Sequence, residues 1–364
     1  MEPNGTSDKA REAGQTEQPT APPVAELVYP QPARAPRRRL GRLILFLLLF
    51  GVGAWVILNL GLFLGAGAGD RRVREEFYAL NKRGKYKVAV ISIEGVILEG
   101  EGFVKRQIDQ VRRDEDVKAV VLRVNSPGGT VSGADYLYHH LSRLRKERRL
   151  PMVVSMGSIA ASGGYYVAMA VGTGHSDTIF AEPTTWTGSI GVIIPHYDAS
   201  QLLNQIGVEE DSVMSHPLKG MGSFTRPMTE EERKILQGLV DDSFERFKQI
   251  VRSGRSAFNQ NPAALDELAT GQVFTAQQAV DSGLVDRIGF IEDAIDRAIQ
   301  LAGLPEDQVR VVRYKREPTI LDLLVGIKSR PTPRWDAASL LDLTVPRAYY
   351  LWTRLPPLLH SGPY

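Results

Sequence analysis

Residues 119–129 read Ala-Val-Val-Leu-Arg-Val-Asn-Ser-Pro-Gly-Gly, a β-branched run that ends in a glycine-closed turn. A short apolar run of this kind, without polar alternation, predicts a strand buried on both faces. Reading upstream, Tyr86 to Ile93 is a second β-branched run, and Glu94-Gly95 marks a turn after it. Between the two, Val104, Ile108 and Val111 recur at helical spacing. Downstream, Leu137, Leu141 and Leu144 predict another helix, and Met152 to Met156 another strand. After Gly157 comes a Gly/Ala/Ser-rich turn, Ile159-Ala160-Ala161-Ser162-Gly163-Gly164, that opens a further helix. Thr178 to Ala181 and Ile190 to Ile194 read as short strands. Thr229 with Glu232 forms a capping box for a long helix with Ile235, Leu236, Leu239, Phe244, Phe247 and Ile250 on its apolar face. Thr275 with Gln278 caps a short helix ending at Gly283. Repeated strand–helix alternation predicts an α/β fold, with helices covering a mostly parallel sheet.

The ends of the chain differ from this middle. Residues 1 to about 36 are rich in Pro, Ala, Glu and Gln and carry too little apolar surface to offset the entropy of ordering. From Leu43 to Leu64 the chain is almost wholly apolar, with Asn59 its one strongly polar member. At ~1.5 Å per residue such a run reaches roughly 30 Å as a helix, enough to cross a bilayer. Arg34, Arg37, Arg38, Arg39 and Arg42 precede it more densely than Arg71, Arg72 and Arg74 follow it. That asymmetry predicts a cytoplasmic N-terminus and a C-terminal domain on the far side of the membrane. The expected organisation is a Pro-rich segment over 1–40, an anchor over 41–66 that contacts lipid through 43–64, and a linker over 67–84. A folded domain over 85–302 and a C-terminal tail over 303–364 complete it.

Composition excludes some chemistries. The 364 residues include no cysteine, so disulfides, thiol nucleophiles and thiolate metal sites are absent. The six histidines show no metal-ligand spacing, and a net charge of +2 gives no electrostatic case for nucleic acid. What remains is the pair of glycine-rich turns. Turns at the carboxyl ends of parallel strands are where α/β folds bind ligands. Their backbone N–H groups are the donors that acyl transfer needs for a developing oxyanion, and Gly128 and Gly163 are the candidates. Ser162, where the second turn meets its helix, suits either a nucleophile or an ordinary N-cap. A serine nucleophile needs a base. A lysine can serve where an apolar pocket disfavours its charged form. Lys219 has no carboxylate in its immediate sequence neighbourhood, and His196 is the alternative.

The order of these motifs resembles the signal peptide peptidase A family in its short bacterial form. The features are Arg123-Val124-Asn125-Ser126-Pro127-Gly128-Gly129, Ala160-Ala161-Ser162-Gly163-Gly164-Tyr165-Tyr166 and Thr187-Gly188-Ser189-Ile190-Gly191-Val192. Lys219 ahead of Arg226-Pro227-Met228-Thr229 and the run Gly283-Leu284-Val285-Asp286-Arg287-Ile288-Gly289 complete them. The likeness runs from about Tyr86 to about Leu301 and includes the anchor. It implies a ClpP/crotonase-like fold and a serine endopeptidase with a Ser162/Lys219 dyad that needs no cofactor. Ser189 falls on the residue that orients the lysine, and Gly128 and Gly163 fall on the oxyanion hole. The implied substrates are cleaved signal peptides at the membrane. Family members form ring- or dome-shaped homo-oligomers in which neighbouring subunits can share a dyad. Competing readings are a general envelope quality-control peptidase and an inactive membrane scaffold. The tail beyond Arg316 mixes prolines with apolar clusters, Tyr349-Tyr350-Leu351-Trp352 among them. Those clusters could fill the protease groove, lie on the membrane or bind a partner.

Overall fold

The computed structural model describes residues 50, 51, 53, 73–98, 100–317 and 349–351. The chain divides into two units, Met1–Asn59 and Leu60–Tyr364. In the first, Phe50, Gly51 and Gly53 are helical. The rest of the expected anchor lies outside the described residues, among which no helix is long and apolar enough to cross a membrane. Everything below concerns the second unit.

Its strands are β1 (Val73–Leu80), β2 (Tyr86–Glu94), β3 (Val117–Ser126), β4 (Gly128–Thr130), β5 (Met152–Ala161), β6 (Ile179–Ala181), β7 (Trp186–Gly188), β8 (Val273–Thr275), β9 (Arg287–Ile288), β10 (Val309–Arg316) and β11 (Tyr349–Leu351). The helices are α1 (Phe103–Arg113), α2 (Val131–Arg148), α3 (Gly163–Ala168), α4 (Ser200–Gln205), α5 (Glu230–Gly254), α6 (Ser256–Gln260), α7 (Pro262–Leu268), α8 (Ala276–Asp281) and α9 (Ile291–Ala302). The main sheet runs in the order β1-β10-β2-β3-β5-β6-β9, with β7 and β8 branching from β5. The ladders from β10 through β2, β3, β5 and β6 to β9 are parallel, while β1 lies antiparallel on β10.

The central strands are apolar on both sides because the sheet is covered on both. In β2, Val88 and Val90 face one layer, where Ala294, Ile295, Ala298 and Ile299 of α9 pack. Ala89, Ile91 and Ile93 face the other, with residues of α1, α2, α3 and α5. β3 splits the same way: Ala119 and Val121 go to α9, while Val120, Leu122 and Val124 go to the larger layer. The period of two therefore distributes one continuous apolar run between two cores.

Four features depart from the sequence reading. β1 falls in the stretch expected as a linker and β10 in the expected tail, so the sheet extends beyond 85–302 at both ends. Lys87, only 8% exposed, ties β1 down through Glu75 (2.9 Å) and also meets Asp114 (2.7 Å). The turn expected over 125–129 is shorter, because β3 continues to Ser126 and β4 begins at Gly128. β5 likewise continues past Gly157 to Ala161, since its first half pairs with β6 and its last three residues pair with β7. The strand expected over 190–194 does not form. The apolar run lacks a neighbouring ladder there, and Ile193 makes a single bridge to Tyr349.

Candidate active site

Extending β3 and β5 brings the two glycine turns together. Ser126 stands opposite Ala160 in the ladder, so Gly128 and Gly163 leave adjacent strands at the same level. A Cβ on Gly128 would lie 2.7 Å from the Gly163 nitrogen, and a Cβ on Gly163 would lie 3.1 Å from the Gly128 Cα. A side chain on Gly128 has no room and one on Gly163 would fit only tightly, and Gly128 also has φ +103°, a conformation L-residues rarely adopt.

Ser162 sits between β5 and α3 with φ 54° and ψ −117°, and is 1% exposed. Its hydroxyl makes no capping bond to α3, so the bland N-cap role is not realised. What holds the turn is backbone: Ser162 N–H donates to Gly188 O at 2.8 Å, and Tyr166 N–H donates to Ser162 O at 2.9 Å. A non-glycine residue in such a conformation costs of order 1–3 kcal/mol, and strain of this kind gathers at functional sites. The Gly163 N–H, in the first turn of α3, has no acceptor within its helix. The Gly128 N–H donates to Ser126 Oγ at 3.2 Å, and that hydroxyl in turn donates to Gly95 O at 2.6 Å.

The bond from Ser162 to Gly188 places Ser189 next to the serine turn. Ser189 is 5% exposed, has φ 52°, and donates from Oγ to Gly271 O at 3.1 Å. Ser162, Ser189, Gly128 and Gly163 are therefore brought together. Lys219 is not among them. It lies exposed on the 3-10 turn Pro217–Gly220, and no hydrogen bond or ion pair among the described residues joins it to Ser162 or Ser189. The fallback base is also elsewhere, with the His196 ring 3.1 Å from Ser223 O. The lysine turn is held from behind: Arg226 donates to Gly220 O (3.0 Å) and to both oxygens of Glu232 (2.5 and 3.1 Å).

Sequence reading missed an aromatic pocket beside the glycines. Tyr166 and Phe247 lie 5.1 Å apart by ring centroids, and Tyr350 packs on both at 5.1 and 4.6 Å. Tyr166 OH donates to Asp135 (2.5 Å) and Tyr350 OH to Ser243 O (2.7 Å), and burial pushes both phenols up so that they remain donors. The signals were present: Tyr166 closes the serine motif, Phe247 lies on the apolar face of α5, and Tyr350 belongs to a tail cluster. Nothing in one sequence says that they meet.

A buried, strained serine beside two abutting glycines, at the carboxyl edge of a covered sheet, has the form of a hydrolase nucleophile turn. Comparison with known proteins makes the class specific. Residues 144–305 match Peptidase family S49, a span that includes Ser162, Gly163, Ser189 and Lys219 and begins after Gly128. "Putative protease slr0021" of Synechocystis is 39% identical over 240 residues, covering 66% of this chain and 83% of that protein. "Putative signal peptide peptidase SppA" of Enterococcus faecium is 35% identical over 263 residues, 69% of this chain and 73% of its own length. "Protease 4" of Salmonella typhi is 36% identical over 246 residues, 65% of this chain but 38% of that longer protein. The chain belongs to peptidase family S49, and is a serine peptidase of the signal peptide peptidase A family.

Proposed function

We propose that the chain is a membrane-anchored endopeptidase with a Ser162/Lys219 dyad, built on a ClpP/crotonase-like fold, that degrades cleaved signal peptides. The observation that carries the serine is its strained, uncapped turn against Gly128 and Gly163. Ser162 attacks the peptide carbonyl while neutral Lys219 takes its proton. The N–H groups of Gly163 and Gly128 hold the oxyanion, the second after turning from Ser126. Lys219 then protonates the leaving amine, and water releases the acyl group. Ser189 orients the lysine.

Lys219 reaches Ser162 from a neighbouring copy of the chain. Supporting this, the segment around it exposes Tyr197, Leu202, Ile206, Val208, Val213 and Phe224, more apolar surface than an isolated arm normally shows to water. Residues 41–66 anchor the protein in the cell membrane, 1–40 stay cytoplasmic, and the folded domain, which begins with β1 at Val73, faces outward. That placement would meet signal peptides where they are released.

The test is labelling of the assembled protein with a fluorophosphonate, in wild-type, Ser162→Ala and Lys219→Ala forms. The reading requires labelling in the wild type and its loss in both variants with assembly intact. Labelling that survives Lys219→Ala removes the dyad. Equal cleavage of an unfolded soluble protein and an apolar signal-like peptide removes the signal-peptide substrate.

A further inference from the structure

The chain enters its folded domain at a defined corner. The apolar run ends at Leu64 and β1 begins at Val73, so eight residues separate them and reach no farther than about 28 Å even when fully extended. β1 lies antiparallel on β10, with Val73 opposite Arg316, so it starts at the edge of the sheet where the parallel strands end. The Ser162 turn closes β5 at that same edge. Between β1 and β5 lie β10, β2 and β3, a separation of roughly 19 Å at ~4.8 Å per strand step.

The same corner is crowded with cations. Arg74 stands directly opposite Lys315, a like-charge cross-strand pair that repels, and Arg316 follows opposite Val73. All three are exposed. The carboxylates of β1 are already engaged: Glu75 meets the buried Lys87 at 2.9 Å, and Glu76 is shared between Arg313 (2.7 Å) and Lys315 (2.9 Å). Arg71 and Arg72 precede in the sequence, on the flank of the apolar run where far-side segments normally carry few cations. An anionic surface facing this corner offsets the repulsion. A bilayer with anionic headgroups is the anion that the eight-residue tether keeps within reach, and such headgroups attract juxtamembrane Arg and Lys. We propose that Arg74, Lys315 and Arg316 dock the folded domain onto anionic lipid headgroups, with the carboxyl edge of the sheet turned toward the bilayer. Docking holds the Ser162 turn near the level of the headgroups, where an apolar peptide leaves the membrane. This rests on the reading of residues 43–64 as a membrane span.

Because the chain has no cysteine, a single introduced one reports position. Leu98→Cys places a fluorophore just after β2, at the carboxyl edge, and Lys82→Cys places one in the turn after β1, at the opposite edge; both positions are exposed. Each full-length protein, with and without Arg74→Gln, Lys315→Gln and Arg316→Gln together, is reconstituted in phosphatidylcholine vesicles that carry a headgroup quencher, with or without phosphatidylglycerol. With phosphatidylglycerol, the probe at 98 should be quenched about threefold more than the probe at 82, and high salt or the triple substitution should abolish that difference. The high-salt arm uses the native charges, so it holds even if the triple variant folds poorly. Equal quenching at the two positions overturns the inference. So does the same difference in pure phosphatidylcholine, which would mean that the tether alone orients the domain. The span is read separately, by alkaline carbonate extraction from pure phosphatidylcholine vesicles. If the protein is extracted, the span is the reading that falls, and flotation with phosphatidylglycerol vesicles, lost in the triple variant, still supports the lipid-docking patch.

Discussion

The serine turn and the lysine turn of the candidate site are built in opposite ways. Ser162 is buried, and its turn is fixed by two parallel ladders, a backbone bond to Gly188 and the abutting Gly128 and Gly163. Lys219 stands on a 3-10 turn in a stretch of largely exposed residues, fastened chiefly by Arg226 behind it. One half of the site is thus a product of the core, whose strain is held by the packing around it. Among the described residues, nothing in the same chain presses the other half onto the serine. Under the proposed dyad, a site divided this way would be complete only where a second surface supplied the missing packing, and activity would then depend on assembly.

Ser162→Ala tests the first half most severely. Loss of the nucleophile should lower kcat/KM roughly 10,000-fold or more. Ser162→Gly should be equally inactive yet more stable, because glycine relieves the positive φ; a gain of about 1 kcal/mol would raise Tm by about 2–4 °C. A glycine variant that melts below wild type would mean that the turn is not strained as described.

The second half is tested by mixing. Lys219→Ala should be as inactive as Ser162→Ala when each is assayed alone. Dissociated and reassembled at equal amounts, the two should recover about one quarter of wild-type activity if serine and lysine come from neighbouring copies. No recovery, with mixed assemblies confirmed by mass, would place both residues of each dyad in one chain and break the contrast drawn above.

Gly128→Ala is expected to lie between these and the milder changes. The added methyl would overlap the Tyr350 carbonyl and crowd the Gly163 nitrogen, at a backbone angle that disfavours it. Loss of one oxyanion donor commonly costs about 100- to 1,000-fold in kcat. The effect should appear in kcat more than KM, measured on a peptide ester and a peptide amide. A change in KM alone would leave Gly128 as a substrate-binding residue only.

The same contrast governs how far the sequence could be read. β2, β3, β5 and the capped helices α5 and α8 are legible because local patterning and tertiary burial agree there. The pairing of Gly128 with Gly163 was legible as two separate turns, since each glycine's need for a special conformation is local. β1 and β10 were not, because β1 is a strand by virtue of β10 and Lys87, and β10 by virtue of β1 and the distant β2. The pocket of Tyr166, Phe247 and Tyr350 joins three distant segments, which no window of sequence contains. Of the predicted face of α5, Leu236, Phe247 and Ile250 are buried while Ile235 and Leu239 are 37% and 50% exposed, so periodicity located the stripe but not its partner.

The smallest expected effect concerns the fastening of the lysine turn. Glu232 is 2% exposed at the start of α5, where its carboxylate also accepts from Thr229 N–H at 2.9 Å to close the capping box. Hydrogen bonds from Arg226 above all, helped by Thr229 and opposed by burial, hold its pKa down to about 2 from an ordinary 4.5. A depressed carboxylate contributes stability that is fully present above its unfolded pKa and lost as pH falls toward the folded one. Glu232→Gln, which keeps the shape and removes the charge, should therefore cost about 2 kcal/mol at pH 7. That difference should hold down to about pH 4.5 and shrink steadily toward pH 2 in urea unfolding. With Arg226 released from Glu232, its hold on Gly220 loosens, so kcat should fall a few-fold while labelling of Ser162 stays complete at long times. A stability difference as large at pH 3 as at pH 7 would assign Glu232 to packing and capping alone. The lysine turn would then be as loosely attached to its own chain as its exposure implies, and its position would rest on the neighbouring copy.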